Sequence, residues 1–528
     1  MGAGSYTTER GGPLPSGCGS VSTNPRQFVT VHAPTGGIPT NDWWSSLVFK
    51  RLNCQYSENL QAHPLSFRPN ANGLGFSYST SAQLLAPAPG LQEYHYPYAQ
   101  DFTAGVNGLN APIVKVDGWS DWTVTPAWSD GARTMTATIG HGLPFTYIDV
   151  TGGGAQLTAT SPVRVWRSVG ASVGFTVNAH DYVAFAPTGA SWNAGDIALT
   201  STLTSTLTST LTSTLAGKGY YSVAVLPTTA QNSDAQRNAL ADQFGRYAYA
   251  KIVGTTLGYR YDPASSTVTT TYSFVTKPWE GSESRTVVAL YPHQWEVLKG
   301  GQPIAQQYVS PRGPMTVLVG AAGFTTSMVF HGVLPEVPAV ADSSGADRAT
   351  LNTYLSQVAG DPMAQQKADT YWSGKAMGRA ARLAEISDQI GDRSTRDKAL
   401  GAVRATLTDW FTASSGKTEQ VFYYDKNWGT LIGYPASYRS DQELNDHHFH
   451  YGYFIAARRR SPNSIRRWRP RANMVEWSTC SSATPTTTTA PTPDSPICAI
   501  STSTPVTTGR RDMALSRQAT TRNPRPRA

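Results

Sequence analysis

A change of hydrophobic periodicity near residue 346 is the feature that most constrains the fold of this chain. From residue 27 to about residue 259, short runs rich in β-branched and aromatic residues alternate with turn residues, which predicts many short β-strands. Beyond residue 346, apolar residues recur at helical spacing with charges between them. The 528 residues therefore divide into a large β-rich part, a smaller mixed part and an α-helical part.

The runs that carry these predictions can be placed individually. The segment 416–439 (GKTEQVFYYDKNWGTLIGYPASYR) follows the last of these helices and is expected to be a loop. The predicted strands include 28–33 (FVTVHA), 122–128 (WTVTPAW), 133–140 (RTMTATIG), 173–180 (VGFTVNAH), 267–275 (TVTTTYSFV) and 284–292 (SRTVVALYP), and the predicted helices cover 348–360, 367–391 and 397–413.

The stretch 440–454 (SDQELNDHHFHYGYF) concentrates three carboxylates, three histidines and four aromatic rings in fifteen residues. Asp446 and His450 are four residues apart, so on a helix they would share one face. Hydrolysis of a glycosidic bond needs one carboxyl group as acid and another as base or nucleophile. A carboxyl group among aromatic rings loses solvation and its pKa rises, so Asp446 fits the acid role.

A second carboxylate, Asp425, is embedded in the aromatic run YYDKNW at 423–428. Aromatic side chains and hydrogen-bonding groups around a carboxylate are what a site for a sugar ring requires. The abundance of Trp (14) and Tyr (25) agrees with such a site, although large β-proteins also use aromatic residues in their strands.

A metal centre is the rival chemistry for the same stretch. His447, His448 and His450, together with Asp441 or Asp446, could bind zinc or iron. The spacing argues against it, because on a helix His447 and His450 point about 60° apart and adjacent histidines about 100° apart. From the residues alone, a sugar hydrolase, a metal hydrolase and histidines that only pack a helical core all remain open.

Several motifs, taken in order along the chain, resemble glycoside hydrolase family 81, the endo-β-1,3-glucanases. The resemblance runs from about residue 2 to residue 457, and the element HHFHYGYF is the most specific part of it. The motifs are IPTNDWWSSL, YSENLQAHPL, DGWSDWTVTPAWSDGA, ATIGHGLPF, FYYDKNWGTLIGYPASY and SDQELNDHHFHYGYFIAA.

This resemblance implies a multidomain β + α protein that hydrolyses β-1,3-glucan internally, with inversion and without a metal or cofactor. The implied architecture is an N-terminal β-sandwich, a small α/β linking domain and a C-terminal (α/α)6 barrel, which this chain would carry only in truncated form. The corresponding division is an irregular arm at 1–27, the sandwich at 28–260, the linking domain at 261–345, the start of the barrel at 346–457 and an aberrant tail at 458–528.

The resemblance also assigns roles to individual residues. Asp446 matches the general acid of the family, and His450 matches a supporting active-site histidine. Asp425 and Trp428 fall where the family lines its glucan cleft. Further substrate-binding residues are expected at Tyr424, His447 and Tyr451.

The general base is absent from the chain as written. An inverting enzyme needs a base roughly 6.5–9.5 Å from the acid, with water between them. In this family the base is a glutamate in a later motif close to GNNQESSSEA, which the sequence does not contain. The resemblance therefore predicts little or no glucanase activity for this chain, and a non-catalytic β-glucan-binding protein is the alternative.

A reading-frame shift near codon 457 explains the missing motif. Residues 458–528 contain 13 Arg and three acidic residues but no Lys, His, Phe or Tyr. One interpretation, which needs no frameshift, is a disordered basic linker or a mucin-like stalk. Codons for 519–527 (ATTRNPRPR) can, however, be read one base earlier as GNNQESSSE. The same register gives sensible sequence at several other points of the tail, which is therefore predicted to be frameshifted and disordered.

The net charge of +8 comes from this tail, because residues 1–457 contain 30 basic and 32 acidic residues. The body is therefore near neutral, and nucleic acid is not an expected partner despite the arginine-rich tail. Neither a transmembrane segment nor a signal peptide is visible, so no membrane association is expected. The expected protein is a monomer that acts on β-1,3-glucan outside the cell, since a polymeric substrate cannot enter one.

Overall fold

The computed structural model describes residues 5–19, 21–39, 42–51, 53–80, 83–95, 97–194, 209–332 and 344–463. The chain divides into two compact units. One, the β-rich unit, comprises residues 25–34 and 43–331, and the other, the helical unit, comprises residues 1–24, 35–42 and 332–528. Within the described residues, no helix is both long and apolar enough to cross a membrane.

In its described residues, the β-rich unit contains two short α-helices, α1 (Asp234–Gly245) and α2 (Pro292–Trp295), and 3₁₀ turns at Pro25–Phe28, Ser45–Leu47 and Leu215–Gly217. Its strands, in chain order, are β1 (Leu60–Gln61), β2 (Ser66–Asn70), β3 (Gly73–Ser77), β4 (Gln83–Ala88), β5 (Leu91–His95), β6 (Phe102–Val106), β7 (Val114–Trp119), β8 (Thr123–Ser129), β9 (Thr134–Gly140), β10 (Phe145–Thr151), β11 (Ala155–Ala159), β12 (Arg164–Val169), β13 (Ser172–Val177), β14 (His180–Phe185), β15 (Asn193–Ala194), β16 (Ser209–Ser213), β17 (Tyr220–Val225), β18 (Ile252–Asp262), β19 (Thr267–Thr276), β20 (Thr286–Leu290), β21 (Leu298–Lys299), β22 (Ile304–Tyr308), β23 (Met315–Ala321) and β24 (Gly323–Val329).

The helical unit contains five α-helices and one hairpin within the described part of the chain. These elements are α3 (Ala346–Ala359), α4 (Thr370–Ile390), α5 (Arg393–Trp410), β25 (Val421–Asp425), β26 (Thr430–Tyr434), α6 (Ser440–Glu443) and α7 (His447–Asn463).

Two large antiparallel sheets dominate the β-rich unit. Over the described residues, one has the strand order β1-β2-β3-β6-β11-β16-β15 and the other β12-β13-β14-β17-β10-β9-β8-β7. The ring of Phe102 in the first sheet meets the rings of Phe175 and Tyr182 in the second edge-on, with centroids 5.3 and 4.9 Å apart. All three side chains are buried, as the inward positions of alternating strands should be.

Over the described residues, two smaller sheets with the orders β18-β19-β24-β21 and β20-β23-β22, together with the two-stranded sheet β4-β5, complete this unit. The boundary predicted between residues 260 and 261 falls inside β18, two residues before that strand ends. The predicted division into sandwich and linking domain remains a prediction.

Most of the predicted elements are confirmed. Strands occupy the predicted runs at β8, β9, β13, β19 and β20, and helices α3, α4 and α5 coincide with the three predicted helices within a few residues. Mostly β structure followed by helices is therefore the fold class of this chain.

Two local predictions were wrong. Residues 28–33 form no strand, because Val29 makes only an isolated bridge to Val116 and turns follow it. The predicted loop 416–439 contains the hairpin β25–β26 instead. Its strands are aromatic and β-branched and flank the turn residues Asn427 and Gly429, a pattern that favours a hairpin.

The tail prediction also needs one correction. Helix α7 continues through residue 463, so the first six residues of the segment predicted to be disordered are helical. Elongating an existing helix is far easier than starting a new one, which explains why the helix does not stop at Ala457. Residues 464–528, and with them nearly all of the predicted tail, lie outside the described residues.

The core of the helical unit forms where three helices meet the hairpin. Its fully buried members come from α4, α5, β25 and α7 in turn: Met377, Ala380, Val403, Leu407, Trp410, Phe422, Phe454 and Ala457. The rings of Trp410, Phe422 and Phe454 are in mutual contact, with centroids 5.3–5.6 Å apart. An aspartate precedes each of α4 and α5 as its N-cap residue, Asp369 and Asp392 respectively, and its carboxylate accepts backbone N–H groups of the first turn.

The N-terminal arm packs on this hairpin. The N–H of Thr7 donates to the carbonyl of Phe422 at 2.9 Å, and the N–H of Tyr424 donates back to the carbonyl of Thr7 at 3.1 Å. The hydroxyl of Tyr434 also donates to the carbonyl of Pro13. These bonds satisfy backbone groups that the edge of the hairpin would otherwise leave open, while the predicted irregular arm at 1–27 remains a prediction.

A buried ion pair in the β-rich unit offers a test of its stability. The guanidinium Nε of Arg237 on α1 donates to Asp181 on β14 at 2.7 Å, and the hydroxyl of Thr228 donates to the same carboxylate oxygen. Both charged side chains are less than 10% exposed. Removal of the cation would leave the buried carboxylate without its counter-charge.

We expect Arg237→Leu to lower the free energy of unfolding by about 3–5 kcal/mol, measured by urea denaturation. Arg164→Leu is the control, since Arg164 pairs with Asp234 at the surface and its loss should cost about 0–1 kcal/mol. Equal losses in the two variants would contradict the structural role of the buried pair.

Candidate active site

Asp446 occupies a strained backbone position immediately before α7. Its φ angle is +56°, in the left-handed region that few residues other than glycine adopt, and Leu444 nearby has a φ of +49°. The predicted helical face shared with His450 is therefore wrong in detail, because α7 begins only at His447. The two residues are linked differently: the N–H of His450 donates to the carbonyl of Asp446 at 2.8 Å. Strain of this kind is often found at functional sites.

The carboxyl group of Asp446 does not act as a helix cap. Its described hydrogen bond comes from the side-chain amide of Asn445 at 3.3 Å, and among the described residues it receives none from the N–H groups of α7. Burial raises the pKa of this carboxyl, while the charge of His448 acts in the opposite direction. A carboxyl group of this kind holds its proton to a higher pH than a free aspartate does, as a general acid must.

His450 is buried and anchored to α4. Its Nδ1 lies 3.0 Å from the hydroxyl of Thr370, the first residue of α4, and the whole residue is only 1% exposed. Burial lowers its pKa to about 4, aided by His447, while the charge of Asp369 acts in the opposite direction. His450 is therefore neutral at neutral pH, and its predicted supporting role in the active site remains a prediction.

His447 and Tyr451 also make internal contacts. The Nε2 of His447 must donate to the carbonyl of Ser440 at 3.1 Å, and burial lowers the pKa of this histidine to about 4. The hydroxyl of Tyr451 donates to the carbonyl of Leu431 at 3.0 Å and accepts from the N–H of Gly433 at 3.1 Å. Both side chains join α7 to its neighbours, and their predicted contact with substrate remains a prediction.

The hairpin holds the other predicted site residues. Asp425 is buried, and its Oδ1 accepts the N–H groups of Asn427 and Trp428 at 2.8 and 3.1 Å, which fixes the turn. Tyr424 packs against the ring of Tyr6 in the arm, with centroids 5.4 Å apart. Trp428 is 8% exposed and lies under Gly17 of the arm. Their predicted position in the glucan cleft is untested.

The structure adds residues that the sequence patterns did not single out. The ring of Tyr371 contacts those of Tyr438, Phe449 and His450 at centroid distances of 5.2, 6.1 and 5.6 Å. Tyr438 and Phe449 are 58% and 52% exposed, so this aromatic cluster reaches the surface. In the sequence, the motif DTYW at 369–372 contains Tyr371, whereas Phe449 and His450 belong to the stretch 440–454 and Tyr438 ends the motif FYYDKNWGTLIGYPASY.

Asp441 is a further carboxyl group with a perturbed environment. It is buried on α6, and burial raises its pKa. Among the described residues, no three His, Cys, Asp or Glu side chains lie close enough together to hold a metal ion.

The raised pKa of Asp446 has a consequence for stability. A carboxyl whose folded-state pKa is raised contributes stability below the unfolded value of about 3.9, and this contribution is lost as pH rises through the folded value. We therefore expect Asp446→Asn to raise the melting temperature at pH 7, and asparagine also tolerates the left-handed backbone. The gain should vanish near pH 3, as measured by thermal unfolding at both pH values.

Asp392→Asn is the control in the same unit. The pKa of Asp392 is lowered by its hydrogen bonds to Thr395, so its ionised form stabilises the fold at neutral pH. This variant should be no more stable than the parent at pH 7. A gain from Asp392→Asn, or a loss from Asp446→Asn, would contradict the assigned environments.

Comparison with known proteins places this geometry in context. Residues 343–459 match the glycosyl hydrolase family 81 C-terminal domain. A protein of Thermobifida fusca named glucan endo-1,3-beta-D-glucosidase is 43% identical over 485 residues, which cover 90% of this chain and 60% of that protein. One of the same name from Acetivibrio thermocellus is 36% identical over 450 residues, which cover 84% of this chain and 54% of the other.

The solved structures give the same result. A mutant of glycoside hydrolase family 81 from Clostridium thermocellum has a TM-score of 0.77 and 34% identity, over 91% of this chain and 62% of that one. The matched part of the chain thus spans between 54% and 62% of the length of these relatives. The chain resembles glycoside hydrolase family 81, because residues 343–459 match the C-terminal domain of that family and about nine tenths of the chain is similar to its members.

Proposed function

We propose that this chain has the active-site design of an inverting endo-β-1,3-glucanase, with Asp446 as the general acid. The observation that carries the proposal is the environment of Asp446: the pKa of its carboxyl group is raised, its backbone is strained, and among the described residues the carboxyl group makes no capping bond to α7. The relatives named above are called glucan endo-1,3-beta-D-glucosidases, which supports β-1,3-glucan of the laminarin type as the substrate.

The proposal extends to the architecture and the setting. The two large sheets would form the β-sandwich, the smaller sheets the linking domain, and helices α3 to α7 the start of an (α/α)6 barrel. A polymeric glucan is met outside the cell, so the proposed setting is extracellular degradation of cell-wall polysaccharide. His450 supports the acid, while Asp425, Trp428, Tyr424, His447 and Tyr451 are proposed to line or support the glucan cleft.

The reaction follows from the role of Asp446. Asp446 donates its proton to the glycosidic oxygen as the bond from that oxygen to the anomeric carbon breaks. A water molecule attacks the same carbon from the opposite face and gives its proton to a base, so the β-linkage yields an α-configured product. Because its pKa is raised, the carboxyl group of Asp446 stays protonated at a pH where a free aspartate would have lost its proton.

The base is the missing component. The sequence contains no match to the family's later glutamate motif, so attack by water would proceed without proton removal. We therefore propose that the chain as written hydrolyses laminarin only weakly. A non-catalytic β-glucan-binding protein is the second candidate, because binding needs aromatic surfaces but no base.

Azide provides a test of the acid alone. Because azide is already an anion, it can attack without a base, so it should increase cleavage of laminarin and give α-glucosyl azide, detected by NMR and mass spectrometry. Asp446→Asn should lower this rate by about 10²–10⁴-fold.

Asp397→Asn, which changes an exposed carboxylate on α5, should leave azide-dependent cleavage unchanged. A β-configured azide would refute inversion, and undiminished cleavage by Asp446→Asn would refute the assignment of the acid.

The binding candidate is favoured by the exposed aromatic cluster. We expect the chain to be retained on insoluble β-1,3-glucan in a pull-down assay, and Tyr438→Ala with Phe449→Ala to weaken retention roughly two- to tenfold. Tyr354→Ala is the matched control, because Tyr354 is equally exposed on α3 but lies outside the cluster. Retention that is lost equally in the control, or absent from the parent chain, would count against binding at this cluster.

A further inference from the structure

Thr370 stands at the junction of three elements of the helical unit. Its N–H donates to the carbonyl of Pro435, just beyond β26, at 3.0 Å. Its methyl group lies directly against Gly433, where an added Cβ would come within 2.4 Å of it. Its hydroxyl lies 3.0 Å from Nδ1 of His450, and the residue is completely buried. This side chain is therefore held in place from both sides.

The direction of the hydrogen bond between Thr370 and His450 follows from where the hydroxyl proton and the ring proton can each be placed. A hydroxyl group carries one proton to donate, and His450 Nδ1 is the described partner of the Thr370 hydroxyl. If Nδ1 carried a proton and donated it, the buried hydroxyl proton would have no described acceptor, which is costly. The ring proton on Nε2 carries no such cost, because Nε2 of His450 is not among the buried side-chain atoms that lack a hydrogen-bond partner. The hydroxyl therefore donates, Nδ1 accepts, and the ring proton of His450 sits on Nε2.

We propose that Thr370 and His450 are positioning residues that hold the general acid Asp446, with Thr370 fixing His450 as the Nε2–H tautomer. The chain of contacts runs from the Thr370 hydroxyl to the imidazole of His450, and from the backbone N–H of His450 to the carbonyl of Asp446. The proposal rests on the proposed role of Asp446, since it explains how the strained backbone of that residue is held.

The surroundings of His450 agree with a neutral ring that accepts at Nδ1. The charged or titratable groups near it are Asp369 at the start of α4, His447 and His448 on its own helix, and the rings of Tyr371 and Tyr438. Asp369 already receives the N–H groups of Tyr371 and Trp372 at 3.0 and 2.9 Å. Burial outweighs its charge, so His450 stays neutral and the hydroxyl of Thr370 can act as the donor.

Two substitutions separate the hydroxyl from the shape of the side chain. Thr370→Val keeps the shape and removes the hydroxyl, whereas Thr370→Ser keeps the hydroxyl. Thr353→Val is the matched control, because the hydroxyl of Thr353 bonds only to its own helix, at the carbonyl of Ala349.

The first measurement is the ¹⁵N NMR spectrum of histidine-labelled full-length chain, with the His450 signals assigned through His450→Gln. We expect an unprotonated Nδ1 and a protonated Nε2 in the parent, in Thr370→Ser and in Thr353→Val, and a mixture of tautomers in Thr370→Val. A protonated Nδ1 in the parent, or an unchanged tautomer in Thr370→Val, would overturn the assignment.

The second measurement is the titration of the Asp446 carboxyl by ¹³C NMR. Loss of the hydrogen bond between Thr370 and His450 should move the pKa of Asp446 toward the ordinary value in Thr370→Val but not in Thr370→Ser. An unchanged titration in Thr370→Val would refute the positioning role.

Azide-dependent cleavage is the third measurement. Its kcat should fall roughly ten- to a hundredfold in Thr370→Val alone, with little change in KM. If no variant cleaves glucan, the proposed function fails, while both spectroscopic results still decide the positioning role.

Discussion

The contact of Trp410, Phe422 and Phe454 is the interaction on which the candidate site depends. It joins α5, the hairpin and α7, and so it fixes the distance between the strand that carries Asp425 and the helix that follows Asp446. Burial of three large rings is a strong and non-directional attraction. The directional contacts around it, from Tyr451 to β26 and from Thr370 to Pro435, then set the orientation that the rings alone would leave open.

The polar groups near Asp446 share one physical environment. Burial disfavours charge on each of them, so the carboxyl groups of Asp441 and Asp446 have raised pKa values and the imidazoles of His447 and His450 have lowered ones. Such a site favours neutral acids and neutral histidines. This suits proton donation to a sugar oxygen better than it suits the binding of a cation, whose histidine and carboxylate ligands would have to be arranged around one point.

The sequence patterns predicted the large elements because these follow local periodicity. Helices α4 and α5 bury residues at helical spacing, and strands such as β19 and β20 are runs rich in β-branched residues, so both kinds of element can be predicted from the local sequence. The left-handed backbone of Asp446 could not be predicted, because a single backbone angle leaves no mark on the hydrophobic periodicity from which helices and strands are predicted. The contact between Thr370 and His450 spans 80 residues, and no local pattern encodes such a pair.

The N-terminal arm and the hairpin that it contacts are synthesised at very different times. The hydroxyl of Tyr434 and the carbonyl of Pro13 are 421 residues apart in sequence, so the partners of the arm leave the ribosome only after the whole β-rich unit has emerged. The β-rich unit can bury its own core in the meantime. Thr7 and Pro13 are therefore synthesised long before their partners in the hairpin β25–β26, which makes the docking of this segment a late event in folding.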